Sequence, residues 1–334
     1  MSTSTTTAPA PRTDGAAGRH ASQARLSFGR VLRSEWIKFR SLRANWVLLG
    51  VALVLSLGFA ALSAWSTLSF ADFGEQAAQE QTEAVLDGRT PEEAGLTEEQ
   101  IRQQEEQVAA RAEQQMAEGS GLTLPDGMSF GEYMAMSSAN GGLQLVMLLL
   151  GALAVLAIGS EYSTGSIRTT MTAVPRRTPV LVAKALLLSG VTFLFGVLSA
   201  VLCHLLVQPI LADADLGYDP WQEPVLLNIL AVGLFYTVTA WLGFGLGALL
   251  KSTTWSIVVL VVLVVVLGGI LFALSFEWLE DLAPYAPGTA GTQLTTLYQS
   301  PDAVLNHVES GLVYGAWGLL FLLAGVLATR RRAL

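Results

Sequence analysis

Residues 254–275 read TWSIVVLVVLVVVLGGILFALS. These 22 residues contain no Asp, Glu, Lys or Arg. A surface helix of that length in a soluble protein shows polar side chains about once per turn on its wet face, and this stretch has none between Ser256 and Ser275. It also meets the ~20 apolar residues that a helix needs to cross a bilayer's hydrocarbon core. Five more stretches share the pattern: Trp46–Trp65, Gly142–Gly159, Ala185–Pro209, Val225–Leu250 and Gly311–Thr329, of 20, 18, 25, 26 and 19 residues. The composition agrees. Of 334 residues 52% are hydrophobic and only 14% charged, and the mean hydropathy is +0.49, whereas soluble chains carry about 25% charged residues. The expected fold is therefore an all-α integral membrane protein with six transmembrane helices.

Charge sets the expected orientation. The segments joining the spans fall into two alternating groups. Residues 1–45, 160–184, 251–253 and 330–334 hold 16 of the 19 Lys and Arg but only 3 of the 27 Asp and Glu. By the positive-inside rule this group is cytoplasmic, and so are both termini. The flank Arg30, Arg33, Lys38, Arg40, Arg43 and the tail Arg330, Arg331, Arg332 both obey the rule. A multi-pass protein of the cell (plasma) membrane is the expectation. The net charge of -8 speaks weakly against nucleic acid as a partner.

Three expected domains follow. Residues 1–27, rich near the start in Ser, Thr, Ala and Pro, read as a disordered tail without the apolar core of a signal peptide. Residues 28–45 read as an amphipathic interfacial helix. Its apolar residues Phe28, Val31, Leu32, Trp36, Phe39, Leu42 and Trp46 are spaced for one helical face, and Arg30, Arg33, Lys38, Arg40 and Arg43 lie opposite. Such a helix lies in the headgroup plane with its basic face toward anionic lipid, or else packs on another protein. Residues 46–334 form the six-span domain, with an acidic outer insertion at 66–141 that carries 15 acids and 3 arginines. Within it, Thr90-Pro91-Glu92-Glu93 and Thr97 carry helix-start signals. A polar helix is expected over about Glu98–Glu118, with Glu98 and Arg102 spaced for an ion pair and a thin stripe of Ile101, Val108, Ala112 and Met116 free to dock elsewhere. The acidity suits either a solvated face or attraction of a cationic ligand. The last outer segment, 276–310, is semi-apolar and suits short helices dipping into the interface.

Several chemistries are missing from the sequence. The single Cys203 excludes an intrachain disulfide framework and a Cys-rich zinc site, and His20, His204 and His307 are too scattered for a His-based metal centre. No Gly-Lys dipeptide exists, so there is no phosphate loop, and the chain is not expected to be an enzyme. The glycine run at 243–247 instead offers Gly243 and Gly247 as a small-xxx-small pair, with Gly311 and Gly315 as a second. His204, alone among uncharged spans, is expected to make an interhelical hydrogen bond rather than relay protons. An ion-coupled carrier is disfavoured for the same reason.

The segment between the second and third spans, GSEYSTGSIRTTMTAVPRR at 159–177, carries more signal. Ser163 can cap a short helix that Pro175 ends, and Ile167 and Met171 give it an apolar face. Glu161 sits at the C-terminal end of the second span, where the helix dipole disfavours a carboxylate by about 0.3–1 kcal/mol. Such a charge is either simply solvated or kept for a cationic partner, for example Arg168 or a residue of another subunit.

The basic amphipathic helix, the large outer loop, then Glu161-Tyr162-Ser-Thr-Gly165-Ser-Ile167-Arg168 followed by Pro175-Arg176-Arg177 and Lys184, resembles the permease subunit of type-2 ATP-binding-cassette (ABC) exporters. RSEWIKFRS at 33–41 is similar to actinobacterial members. The resemblance covers about residues 28–332. It implies a dimer of permeases (homo- or heterodimer), and a coupling helix around Glu161–Ala173 that docks on a separate cytoplasmic ABC ATPase through Glu161, Tyr162, Gly165, Ile167, Arg168 and Met171. It implies re-entrant helices in the last outer loop. No cofactor is expected in this chain; ATP and Mg would be bound by the ATPase. The implied function is ATP-driven export, and the mostly apolar span faces favour a hydrophobic or amphipathic substrate over a charged one. The alternative is a non-transporting membrane sensor or anchor whose acidic outer region binds a ligand.

Overall fold

The computed structural model describes residues 27–86, 97–119, 124, 128–163, 177–274, 276–299 and 303–331. All regular elements among these residues are helices, and six of them are long and apolar enough to cross a membrane. The first runs Arg43–Leu86, the second Leu143–Ser163, the third Arg177–Leu211, the fourth Glu223–Leu250 and the sixth His307–Arg331. The fifth begins at Thr253, passes through a π-helical turn at Val262–Val266 and ends at Ala273.

The fourth helix is the centre of the bundle. Within its apolar window 67% of residues are buried, against 17% in the fifth and sixth. A helix apolar all round suits such a place. Glycines on different faces set how near its neighbours come. A methyl at Gly243 would overlap the backbone of Gly151 in the second helix, and one at Gly247 would meet Ile158 and Val155. Gly245 faces the backbone of Phe321 and Leu322 in the sixth helix, and Gly233 faces Phe193 and Val197 in the third. Close backbone approach increases dispersion contact where lipid removes the hydrophobic drive between helices.

The sixth helix differs from the sequence expectation. Its buried face carries Ser310, Tyr314, Gly318, Gly325 and Thr329. Gly318 meets Val238, and Gly325 meets the carbonyl of Gly245. Gly315 is one residue, about 100° of rotation, off that face, and a methyl there would meet no heavy atom within 4 Å. A methyl at Gly311 would meet Leu294 of the short helix Pro287–Leu294, not another membrane-spanning helix.

Ahead of the bundle lies a leading helix, Phe28–Ser41. The stripe read from the sequence continues through Trp46, but the helix breaks at Leu42, whose backbone is extended. The first turn of the next helix caps the break. Asn45 Nδ2 donates to the Phe39 carbonyl at 2.9 Å and Trp46 Nε1 to the Arg40 carbonyl at 3.1 Å, which satisfies acceptors that a helix end otherwise leaves open. Val31, Glu35 and Phe39 form the buried face, Val31 against Val180 and Ala183 of the third helix.

At the opposite end the first helix passes its apolar limit near Phe70 and continues to Leu86. A polar helix, Glu98–Gly119, packs against it. Its start is a reciprocal cap: Thr97 N–H donates to Gln100 Oε1 at 2.8 Å, and Gln100 N–H to Thr97 Oγ1 at 3.3 Å. Arg102 pairs with Glu106 at 3.6 Å. Ile101, Val108, Ala112 and Met116 are half-buried. A short helix, Phe130–Ser138, with a capping box of Ser129 and Glu132, leads into the second span. Residues 90–93 lie outside the described residues.

The segment 276–299 does form short helices, Glu277–Glu280, a 3-10 turn at Ala283–Tyr285, and Pro287–Leu294. The last of these is wedged among the fourth, fifth and sixth helices. Gly288 lies on the carbonyl of Val264, inside the π turn, and Gly291 on Phe235 and Tyr314.

Candidate functional site

Where the leading helix meets the adjoining ends of the second and third helices, four charged side chains converge. Glu35 comes from the leading helix's buried face and Lys38 from its next turn. Glu161 ends the second helix, and Lys184 stands two turns into the third. Lys184 Nζ lies 2.6 Å from Glu35 Oε2 and 2.9 Å from Glu161 Oε1. Lys38 Nζ lies 2.7 Å from Glu35 Oε1 and 3.5 Å from Glu161 Oε1. Each ammonium thus bridges both carboxylates. The Glu35 and Lys184 side chains are 2% and 8% exposed, Glu161 13%, and Lys38 43%. Charges this far from water persist only when paired and hydrogen-bonded, so the quartet ties three helices together.

Burial pushes the Glu35 carboxyl up, but the Lys184 and Lys38 ammoniums outweigh it and hold the group below its ordinary value. For Lys38, burial pulls the ammonium down, while Glu35 and then Glu161 more than offset this and hold it above its ordinary value.

Tyr162, the next residue, turns the other way. Its hydroxyl lies 3.0 Å from Thr329 Oγ1 of the sixth helix, and Lys251 Nζ sits over its ring at 5.7 Å. Lys251 forms the turn between the fourth and fifth helices in the left-handed conformation, φ 54, with its N–H on the Gly247 carbonyl. Two consecutive residues at the exit of the second helix therefore contact the leading helix, the third helix, the 250–253 turn and the sixth helix.

The helix dipole pointed to a cationic partner for Glu161. The partners found are Lys184 and Lys38, while Arg168 lies outside the described residues together with Gly165, Ile167 and Met171. In the leading helix Phe28, Arg30, Arg33, Trp36 and Arg40 are exposed and Phe39 is buried. Lys38 departs from the basic outer face to join the quartet. Sequence reading missed the roles of Glu35 and Lys184. The available signal was that two of the three acids on the basic side flank this joint.

A second buried polar network lies toward the other end. His204 Nδ1 is 2.8 Å from the Tyr218 hydroxyl and Nε2 is 3.3 Å from Asn228 Oδ1. Asn228 Nδ2 donates to the Thr295 carbonyl at 2.6 Å, which leaves its Oδ1 as the acceptor. That assigns the imidazole proton to Nε2, with Nδ1 accepting from Tyr218. His204 is thus an interhelical hydrogen-bonding residue.

A family model for the ABC-2 family transporter protein matches residues 30–327. The chain belongs to this family. No curated protein and no solved structure matches it. As an ABC-2 family member it is a multi-pass membrane permease subunit of an ABC transporter, a family that works with an ABC ATPase subunit. The matched range includes the quartet and at least part of each of the six spans.

Proposed function

We propose that this permease exports a hydrophobic or amphipathic substrate from the cytoplasm, driven by ATP and Mg bound in a separate ATPase. In this reading the basic end of the bundle is cytoplasmic, the membrane is the plasma membrane, and a second permease copy completes the pathway. Residues 161–173 receive the ATPase's motion through Glu161, Tyr162, Gly165, Ile167, Arg168 and Met171.

One observation carries the reading: the exit of the second helix is fastened on two sides. A displacement of the segment after it pulls on the leading and third helices through Glu161 and on the sixth helix and the 250–253 turn through Tyr162. Paired charges are suited to this because they keep their partners over small shifts while resisting separation in a low dielectric.

The test is Glu161→Gln in the full permease–ATPase complex. The variant keeps the side chain's size and leaves Ile167 and Met171 in place. It should insert and bind the ATPase normally, while candidate substrates no longer stimulate ATP hydrolysis and transport falls. Normal stimulation and transport would return Glu161 to a purely local role.

A further inference from the structure

A cavity of about 410 Å³ opens beside the quartet, between the leading helix, the start of the first helix and the ends of the second and third. Glu35, Lys38, Glu161 and Lys184 all line it, and Ala157, Leu187 and Leu188 form its apolar floor. Its volume falls in the range of small-ligand sites, ~300–1,000 Å³. We propose that this cavity holds the headgroup of a zwitterionic membrane lipid bearing a phosphate and a primary ammonium.

The charges select the head. Two carboxylates and two ammoniums cancel, so a head of a single sign meets as many like charges as opposite ones and gains little. A dipolar head gains at both ends. Lys38 is the most exposed of the four, and an ammonium has three donors, so it can hold Glu35 and still offer a proton to a phosphate. A primary ammonium on the head can donate to the Glu161 carboxylate, 3.5 Å from the Lys38 nitrogen. A quaternary ammonium has no proton to donate. The opposite ends of such a head, joined by a two-carbon link, suit opposite charges this close together.

The surroundings select a lipid over a soluble zwitterion. Leu42 lines the cavity, and with Trp36, Ile37 and Trp46 it makes an exposed apolar strip on the neighbouring surface. The cavity lies at the ends of helices long enough to cross a bilayer, where the polar head and the first methylenes of a lipid sit side by side. The inference stands on this geometry and not on export or coupling, and no ATPase enters its test.

The full chain is placed in nanodiscs of phosphatidylcholine, or of equal parts phosphatidylcholine and phosphatidylethanolamine or phosphatidylglycerol, and its thermal unfolding midpoint is recorded. Phosphatidylethanolamine should raise the midpoint by roughly 2–4 °C, the effect of a ligand that binds only the folded state. Phosphatidylglycerol should not, nor should soluble phosphoethanolamine added to phosphatidylcholine discs. Leu187→Trp and Ser41→Trp fill the cavity from opposite walls, and either should abolish the rise while leaving the chain folded in phosphatidylcholine. An equal rise with phosphatidylglycerol would overturn the zwitterion, and a full rise with soluble phosphoethanolamine would overturn the lipid. A rise that persists in whichever filled variants fold would place the effect outside the cavity and overturn the site.

Discussion

Lys184 shows how one residue organises its surroundings. It is 8% exposed and contacts both carboxylates, so Lys184→Met leaves Glu35 and Glu161 facing a single half-exposed ammonium. Breaking a buried pair by removing one partner costs about 3–5 kcal/mol, and denaturant unfolding in detergent should register a loss of that order. A double-mutant cycle with Glu35→Gln should show coupling, because the two residues touch. The pH dependence follows from the two resolved shifts. Glu35, held low, contributes stability that is present above its unfolded pKa and is lost as pH falls through its lowered folded value. Lys38, held high, contributes stability that is present below its unfolded pKa and is lost as pH rises through its raised folded value. Between these limits the contribution of Glu35 and Lys38 should be flat, and a difference in unfolding midpoint between the native chain and Glu35→Gln that varies strongly from pH 6 to 8 would contradict this origin. The need of Glu161 for a cation was legible from its place on the helix dipole. Its partner was not, because Lys184 is 23 positions away and the pairing depends on how the second and third helices sit side by side. The burial of Glu35 was half legible. At about 100° per residue it falls within the apolar stripe of Val31, Phe39 and Leu42, but the buried Lys184 that makes an acid tolerable there comes from a helix distant in sequence.

Among the elements, the fourth helix carries the clearest consequence. At Gly245 an added methyl would run into the backbone of Phe321 and Leu322, which cannot step aside as a side chain can. Gly245→Ala should therefore cost at least the ~1–3 kcal/mol typical of overpacking and push the sixth helix outward. Gly315→Ala, with nothing within 4 Å, should stay within about ±0.5 kcal/mol in the same unfolding measurement. Helix propensity alone favours alanine at both positions, so equal outcomes in the two variants would mean that Gly245 does not act through close contact with the sixth helix. The six spans were legible because lipid imposes length and apolarity on each of them separately. Which glycines matter was only partly legible. A spacing of four samples one face of a helix, that of Gly243 and Gly247, but the central helix uses further faces: Gly245 lies between those two on another side, and Gly233 stands well before them. The break at Leu42 was invisible for a different reason: the side chains that cap it, Asn45 and Trp46, belong to the following helix.

On the scale of the whole molecule, the proposed orientation is open to direct measurement. With Cys203→Ala as background, Glu105→Cys should react with a membrane-impermeant thiol reagent on intact cells, and Ser163→Cys should not. The reverse pattern would invert the molecule. The asymmetry of charge that suggests this orientation was fully legible, since it is a property of counts and needs no packing. The shape of the acidic insertion was not: residues 66–86 are polar enough to read as loop, yet they continue the first helix without a break. That continuity has a mechanical meaning. The helix spans 44 residues, about 66 Å at 1.5 Å per residue, and its near end is fastened by Asn45 and Trp46 to the helix that carries Glu35 and Lys38. It is a lever with its short arm at the charged joint. A tilt of about 5° there, too slight to disturb most contacts, would sweep the far tip through about 6 Å over that length. A spin or fluorescent label near residue 84 would then act as the pointer of a gauge, reporting on one side of the membrane a movement made on the other.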